Sequence, residues 1–208
     1  MKAKNQARIF SSTKTALQDA VPLRTPYSVH IDVCSVCNFR CSFCFQSNQA
    51  ALKEKGVKLG LMDVTLFKKI VDDLTDFEDK IRKIKIGNHG EPTLHSKLPE
   101  MIAYSSSRNV AEEIEMFTHG AKLNPELNLA IVEAGLTRIN ISVEGLTEED
   151  YLKTAGTKID IKEFVQNIEH LYNNRKQLRI YVKIVDVGMI EQEKQLFNAR
   201  FGDICDEI

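Results

Sequence analysis

The 208-residue sequence has no apolar stretch long enough for a transmembrane helix or for the core of a signal peptide. It also lacks an excess of either charge, because 28 Lys and Arg residues stand against 29 Asp and Glu residues and the formal net charge is -1. Electrostatics therefore predict neither a nucleic-acid partner nor a membrane partner. Without a leader, the expected location is cytoplasmic.

The sequence also has no internal repeat, low-complexity tract or Gly/Ser-rich linker. Its length favours one domain with a substantial core. Residues 1–26 are polar, and we expect them to form a loose lead-in to a folded body that spans residues 27–208.

Segments rich in Ile and Val alternate with amphipathic helical patterns along that body. The predicted strands are Tyr27 to Val33, Lys83 to Ile86, Glu113 to Phe117, Thr137 to Val143 and Arg179 to Val187. The closing residues FGDICDEI look like a sixth strand. An apolar stripe at helical spacing is predicted to pack on the sheet, and it consists of Leu66, Phe67, Ile70, Val71 and Leu74. This alternation predicts an α/β fold with parallel strands and with functional groups just after each strand.

The fourth predicted strand has one polar face and one apolar face. Asn140, Ser142 and Glu144 alternate with Ile139, Ile141 and Val143. The first strand repeats the pattern with Ser28, His30 and Asp32. Because successive side chains of a strand point to opposite faces, we expect helices on one face and a polar, barrel-like cavity on the other.

Four of the five cysteines lie between positions 34 and 44, which predicts metal or redox chemistry in a reducing compartment rather than disulfides. Cys37, Cys41 and Cys44 have the spacing C-x3-C-x2-C. Three thiolates on a four-iron cluster leave one iron open for a ligand, whereas four thiolates close an electron-transfer cluster. The spacing leaves open a zinc site and a closed cluster completed by Cys34, although we interpret Cys34 and Cys205 as buried thiols.

The segment CNFRCSFC resembles the cluster motif of the radical S-adenosylmethionine (radical SAM) superfamily. The resemblance implies a [4Fe-4S] cluster held by Cys37, Cys41 and Cys44 in a partial (β/α)6 TIM-like barrel of the radical SAM type. It also implies that the open iron chelates the amino and carboxylate groups of S-adenosylmethionine, and that Phe43 lies near the adenine.

Further motifs follow the later strands. Gly90, Glu91 and Pro92 resemble the GGEP segment of the superfamily, which binds the methionine amino group, with His89 in place of the first glycine. Glycine permits close approach of the backbone to a ligand, and Glu91 offers an acceptor for a cationic amine. His89 leaves the backbone geometry at that position an open question.

The third and fourth strands end in related motifs. Thr118 opens a turn similar to the Thr-Asn-Gly turn of many members, with His119 replacing the asparagine, and Thr118 is expected to contact the cofactor. Ser142 and Glu144 resemble the ribose and carboxylate contacts. On the fifth strand, Lys183 shares a face with Tyr181 and could pair with the methionine carboxylate or with a substrate anion.

The resemblance implies reductive cleavage of S-adenosylmethionine to a 5'-deoxyadenosyl radical, with an external one-electron donor of the flavodoxin or ferredoxin type. Segments such as TRINISVEG resemble the branch that often carries a SPASM extension, and the 208 residues contain none, so the sequence is a truncated piece or a minimal partial barrel. That branch implies oxidation or maturation of a peptide, protein or sugar-like substrate. The alternatives are a glycyl-radical-activating enzyme, a non-catalytic iron-sulfur electron carrier and a zinc-binding module.

Overall fold

A computed structural model describes residues 1–6 and 15–208, and the part of the predicted lead-in at residues 7–14 lies outside the described residues. Its centre is a five-stranded sheet in the order β1-β2-β3-β4-β5, with every pair of neighbours parallel. The strands are β1 Ser28–Ile31, β2 Ile81–Ile86, β3 Ala111–Thr118, β4 Arg138–Val143 and β5 Arg179–Ile184. The sheet is open, so the predicted α/β fold with a partial barrel is confirmed.

Helices occupy the predicted intervals between the strands. The α-helices of the described residues are α1 Leu17–Ala20, α2 Gln49–Glu54, α3 Val64–Asp73, α4 Leu98–Arg108, α5 Pro125–Glu133, α6 Glu148–Ala155, α7 Ile161–Asn173 and α8 Glu191–Phe201. Short 3-10 turns cover Phe45–Ser47, Leu74–Asp76 and Pro92–Leu94. Side chains cap several of these helices, as Asn124 does for α5 and Asp160 for α7, because each carboxylate or amide oxygen accepts an otherwise unpaired backbone N–H.

One face of the sheet forms the hydrophobic core. Its isoleucines and methionine are fully buried, as at Ile84, Ile86, Met116, Ile139 and Ile141. Helices α3, α4, α5 and α7 pack side by side in this layer. Within α3, Phe67 and Val71 are buried, whereas Leu66 is half-exposed, so the prediction that Leu66 belongs to the packed stripe is wrong.

The opposite face is polar, as the alternation in the first and fourth strands predicts. Lys83 on β2 lies 2.6 Å from a carboxylate oxygen of Glu113 on β3, and Arg179 on β5 lies 2.8 Å from the other oxygen. Arg138 on β4 pairs with Glu115 at 3.4 Å and with Glu207 at 2.5 Å. Charges of opposite sign on neighbouring strands therefore offset the cost of partial burial.

The predicted sixth strand is reduced to isolated parallel bridges at Glu207, one of which joins it to Tyr181 of β5. On its other side, Glu207 bridges to Lys4, and the N–H of Ile208 donates to the Lys4 carbonyl. Residues 1–6 thus pack against the body of the fold rather than forming a loose lead-in. The proposed division at residue 27 stays a prediction.

No helix in the described part of the chain is long and apolar enough to cross a membrane.

The packing of α3 gives a direct test of the fold. Replacing Phe67 with Ala should lower the free energy of unfolding by about 3–5 kcal/mol, because the change removes a fully buried ring and leaves a cavity. The matched control is Leu66→Ala in the same helix, which should change it by about 0.5 kcal/mol or less because Leu66 faces solvent. Urea unfolding followed by circular dichroism measures both, and equal losses would contradict the orientation of α3.

Candidate functional site

Four of the five cysteines lie on a loop at the carboxyl edge of the sheet, where functional groups of parallel α/β folds gather. We call residues 34–44, which begin three positions after β1, the cluster loop. Cys37, Cys41 and Cys44 are half-buried, whereas Cys34 is fully buried in the hydrophobic core. Cys34 also donates a hydrogen bond to the Val36 carbonyl at 3.3 Å, as a structural thiol would.

The causes of the pKa shifts differ between the motif cysteines and Cys34. Burial raises the pKa of Cys41 to about 12, with further raising by Glu144, Cys37 and Cys44. Burial also raises the pKa of Cys37, and Cys44 adds to the shift. The pKa of Cys34 is raised by burial and by Glu91, and none of the other cysteines contributes. Cys44 therefore contributes to the pKa shifts of both Cys37 and Cys41, whereas the pKa of Cys34 is raised mainly by its own burial.

This set of donors fits a [4Fe-4S] cluster. Among the described residues, no three His, Cys, Asp or Glu side chains converge closely enough to hold a single metal ion. A cubane cluster makes a different demand, because its three thiolates bind three separate irons and leave the fourth open. Since the ligands must be thiolates, binding of a cluster by these residues would release protons from the three thiols.

Glu91 forms a buried hub beneath the cluster loop and is only 1% exposed. One carboxylate oxygen accepts hydrogen bonds from the Thr118 hydroxyl at 2.6 Å and from the N–H and hydroxyl of Thr93. The other oxygen accepts the N–H of His119 at 2.9 Å. Glu91 therefore joins the turns that follow β2 and β3.

His119 connects this hub to the cluster loop. Its Nδ1 accepts the N–H of Ala121, so the ring proton is assigned to Nε2, which lies 2.9 Å from Asn38 Oδ1 and 3.2 Å from the Glu91 carboxylate. The imidazole stacks on Phe39, with ring centroids 3.8 Å apart and planes within 10°. Burial lowers the pKa of His119, although Glu91 acts in the opposite direction.

The far side of the cluster loop is tied to the end of α6. The N–H groups of Arg40 and Ser42 donate to the carbonyls of Ala155 and Thr154, at 2.7 and 2.8 Å. The Arg40 guanidinium donates to the carbonyls of Cys37 and Phe39 at 2.6 and 2.8 Å. The loop thus has little secondary structure of its own and takes its shape from its neighbours.

Four of the predicted site residues line one cavity of about 720 Å³ beside this loop. They are Phe43, Ser142, Glu144 and Lys183. Burial raises the pKa of the Glu144 carboxyl, and Lys183 acts in the opposite direction. The backbone N–H of Glu144 donates to the Tyr151 hydroxyl at 3.3 Å. A ring, a hydroxyl, a carboxylate and an ammonium therefore face a space large enough for a nucleoside-sized ligand.

The remaining predicted residues do not reach that cavity. Glu91, Pro92 and Thr118 are buried, and the oxygens of Glu91 and Thr118 already bond within the chain. In this structure Glu91 and Thr118 support the turns around them, and their predicted contacts with the cofactor stay a prediction. Gly90 lies against the cluster loop, and its N–H donates to the Gln46 side chain at 2.5 Å.

The turn after β2 accommodates a side chain at position 89. Positive φ angles in this turn belong to Gly87 and Gly90, and His89 has none, so a side chain at position 89 needs no left-handed backbone. Asp32 accepts the N–H groups of Asn88 and His89, and its second oxygen lies 2.7 Å from His89 Nδ1. Asp32 thereby fixes the turn after β2.

Sequence reasoning missed several residues that shape the site. Gln46 is buried and bridges the Ser35 carbonyl and Gly90, and Phe39, Asn38 and Tyr151 support the cluster loop and Glu144. A signal was present for Phe39 only, as an apolar residue between two cysteines. Gln46 and Tyr151 lie outside any motif, so only the fold brings them to the site.

Such a loop of three thiols beside a nucleoside-sized cavity at the carboxyl edge of a parallel sheet fits the class of proteins that bind an iron-sulfur cluster next to a nucleoside cofactor. The model of the Radical SAM superfamily matches residues 31–196. The chain belongs to that superfamily of enzymes. The cofactors of the superfamily are a [4Fe-4S] cluster and S-adenosylmethionine, in agreement with the prediction from the cysteine motif.

Curated relatives agree with this assignment. The chain is 28% identical over 174 residues to the tungsten-containing aldehyde ferredoxin oxidoreductase cofactor-modifying protein of Pyrococcus furiosus, covering 81% of this chain and 45% of that protein. It is 33% identical over 134 residues to a probable GTP 3',8-cyclase of Methanococcus maripaludis, covering 64% of this chain and 42% of the relative. The chain thus spans less than half the length of these relatives.

Solved structures share the fold at low sequence identity. SuiB of Streptococcus suis bound to S-adenosylmethionine has a TM-score of 0.67 at 11% identity, covering 96% of this chain and 45% of that one. Native anSMEcpe with bound AdoMet has a TM-score of 0.63 at 18% identity, covering 84% of this chain and 49% of that one. At these identities the likeness establishes the fold alone.

Gly90 offers a test of how tightly the cluster loop packs. A Cβ at position 90 would overlap the Cys34 carbonyl oxygen, and φ is +72°. Gly90→Ala should therefore lower the free energy of unfolding by more than the roughly 1–2 kcal/mol of left-handed strain alone. Gly60→Ala is the control, because its Cβ would meet open space. Chemical unfolding compares them, and a stable Gly90→Ala protein would contradict this packing.

His119 can be tested against a second histidine. His119→Ala removes the stack on Phe39 and the Nε2 hydrogen bonds, and it should lower the free energy of unfolding by about 2–4 kcal/mol. It should also reduce the iron retained after reconstitution. His30→Ala, at an exposed position of β1, should change neither quantity appreciably. Normal iron content in His119→Ala would show that the stack does not support the cluster loop.

Proposed function

We propose that this chain cleaves S-adenosylmethionine reductively and abstracts hydrogen from a peptide, protein or sugar-like substrate. The observation that carries the proposal is the cavity in which Phe43, Ser142, Glu144 and Lys183 meet beside the three-cysteine loop. The reaction would be an oxidation or maturation of that substrate. It takes place, we propose, in the cytoplasm, where a reducing environment preserves thiolate ligands.

Each residue of the site has a role that follows from its chemistry. Cys37, Cys41 and Cys44 would hold the cluster, which when bound and reduced supplies the electron that splits S-adenosylmethionine into methionine and a 5'-deoxyadenosyl radical. The Glu144 carboxylate would accept hydrogen bonds from the ribose hydroxyls, and the Ser142 hydroxyl would donate a hydrogen bond to them or accept one.

Other residues would orient the remaining parts of the ligand. The ring of Phe43 would lie against the adenine, and the Lys183 ammonium would pair with a carboxylate. Gly90 would act by letting its turn pack directly against the backbone of Cys34 and Ser35, while Pro92 and buried Glu91 and Thr118 would keep that turn in place. Such fixed placement is what directs a reactive radical to one hydrogen atom.

The substrate class rests on the resemblance to the peptide- and sugar-modifying branch. The names of the relatives cover a GTP 3',8-cyclase and a cofactor-modifying protein, so sequence similarity supports the chemistry of the class rather than one substrate. The electron would come from an external one-electron donor protein of the flavodoxin or ferredoxin type.

The test is reductive cleavage in the absence of substrate. The anaerobically purified chain, reconstituted with iron and sulfide, should form 5'-deoxyadenosine from S-adenosylmethionine and dithionite, as measured by chromatography. The triple variant Cys37→Ala, Cys41→Ala, Cys44→Ala should form none, because it lacks every proposed iron ligand.

Cys34→Ala is the matched control for that experiment. It should keep the cluster and the activity, since Cys34 is buried in the core and lies outside the C-x3-C-x2-C motif. Loss of the cluster in Cys34→Ala would instead indicate a four-thiolate electron carrier. A wild-type yield no higher than that of the triple variant would refute the proposed function.

A further inference from the structure

A short segment follows the cluster loop after Cys44 and folds back against it. We call residues 45–61 the basic lobe, and it contains the turn Phe45–Ser47 and helix α2. At its start, the Ser47 hydroxyl donates to the Cys41 carbonyl at 2.8 Å. At its end, Gly60 exchanges two hydrogen bonds with Ser35, each 2.9 Å long. The lobe is therefore fixed to the cluster loop at both ends.

The charge of the lobe differs from that of the whole chain. It carries Lys53, Lys55 and Lys58 against a single acidic residue, Glu54, whereas the chain has a formal net charge of -1. All three lysines are exposed. Across residues 1–6 and 15–208, none of the three forms an ion pair with a carboxylate, in contrast to Lys68, Lys69 and Lys83. Their charge is thus available to an approaching partner.

Apolar side chains stand exposed among these lysines. Phe45, next to Cys44, is 59% exposed, Leu61 is 54% exposed and Val57 is 47% exposed. Apolar groups at the centre with charged groups around them are the usual anatomy of a transient protein interface. A lobe that served only to solvate the surface would not need to expose three large apolar residues.

The position of the lobe suggests what kind of partner it receives. Electron transfer slows steeply with distance, so a donor must dock close to the half-buried cysteines, and the lobe adjoins them on the β1 side. The cavity lies on the β4 and β5 side and is therefore left open for the cofactor and the substrate. A positive surface attracts an acidic carrier and raises its rate of encounter.

We propose that the basic lobe is the docking surface for an acidic one-electron carrier protein that reduces the cluster. This inference rests on the proposed function, since it assumes a cluster that must be reduced. It assigns Lys53, Lys55 and Lys58 to recruitment of the donor and gives them no part in cofactor binding.

The experiment compares two reductants on the same holoenzyme. The probes are an acidic bacterial flavodoxin with its NADPH-dependent reductase, and dithionite, which needs no protein interface. In Lys53→Glu, Lys55→Glu, Lys58→Glu, formation of 5'-deoxyadenosine driven by the flavodoxin should fall by about tenfold or more at low ionic strength. The rate driven by dithionite should stay within about twofold of wild type, and added salt should narrow the difference.

A matched control applies the same change of charge elsewhere. Lys80→Glu, Arg82→Glu, Lys176→Glu alters three exposed residues near the amino ends of β2 and β5, and it should leave both rates unchanged. An equal fall in the control would attribute the effect to net charge and overturn the proposal. Normal flavodoxin-driven activity in the lobe variant would also overturn it.

Two further outcomes separate docking from the proposed function. A dithionite-driven rate that falls in the lobe variant, with iron content retained, would place the lobe in cofactor handling and overturn the proposal. If wild type forms no 5'-deoxyadenosine with dithionite, the proposed function fails instead. Docking is then decided by calorimetric binding of the flavodoxin at low salt, which should be lost in the lobe variant and kept in the control.

Discussion

The stack of His119 on Phe39 is the contact on which the cluster loop depends. A loop with so little regular secondary structure cannot hold three thiols at fixed separations through its own backbone hydrogen bonds. The stack supplies a rigid, buried support, and it is itself fixed by the carboxylate of Glu91, which lies within reach of the imidazole. Both oxygens of Glu91 bond to the turns after β2 and β3. One carboxylate thus sets the relative positions of three strand ends.

The ion pairs on the polar face of the sheet are the second constraint on the structure. Burial raises the pKa of Glu113, but the hydrogen bond and charge of Lys83 together with the charges of Arg138 and Arg179 outweigh it, and the pKa is lowered overall. The carboxylate therefore stays ionised and paired. These pairs lie toward the amino ends of the strands, while Ser142 and Lys183 lie toward the carboxyl ends. Ion pairs therefore cover the polar face near the amino ends of the strands. The carboxyl ends stay accessible to a cofactor.

Much of this arrangement could be predicted from the sequence. Alternating strands and helices indicate a parallel sheet, and a parallel sheet brings the residues after each strand to one edge. The polar alternation of Asn140, Ser142 and Glu144 also indicates which face carries the site. What spacing could not indicate is the direction of a side chain once its strand has ended. Glu91 follows β2 as expected and Thr118 is the last residue of β3, yet both side chains point into the protein, because a buried carboxylate is satisfied by the donors of neighbouring segments.

The sixth strand shows a different limit of sequence patterns. Its residues are apolar enough for a strand, but Glu207 is held by Arg138 on the inner face and pairs with β5 at one position only. Whether such a segment forms a strand depends on residues that are distant in the sequence. Here Lys4, near the opposite end of the chain, forms the second bridge to Glu207. Sequence patterns could not identify Gln46 and Tyr151 for the same reason, because their roles depend on contacts with Gly90 and Glu144.

The two approaches to the cluster loop follow from the order of the strands. Because β1 and β5 are the edge strands, the segment after β1 and the cavity beside β5 reach the cysteines from different directions. A donor protein on the β1 side would not block a substrate on the β5 side, so reduction need not wait for the cavity to empty. The exposed lysines and apolar residues of the basic lobe make sense in this geometry, since a surface that only covered the cluster would gain nothing from charge. If the cluster loop holds the iron as proposed, the path of the electron and the path of the substrate would lie on different sides of it.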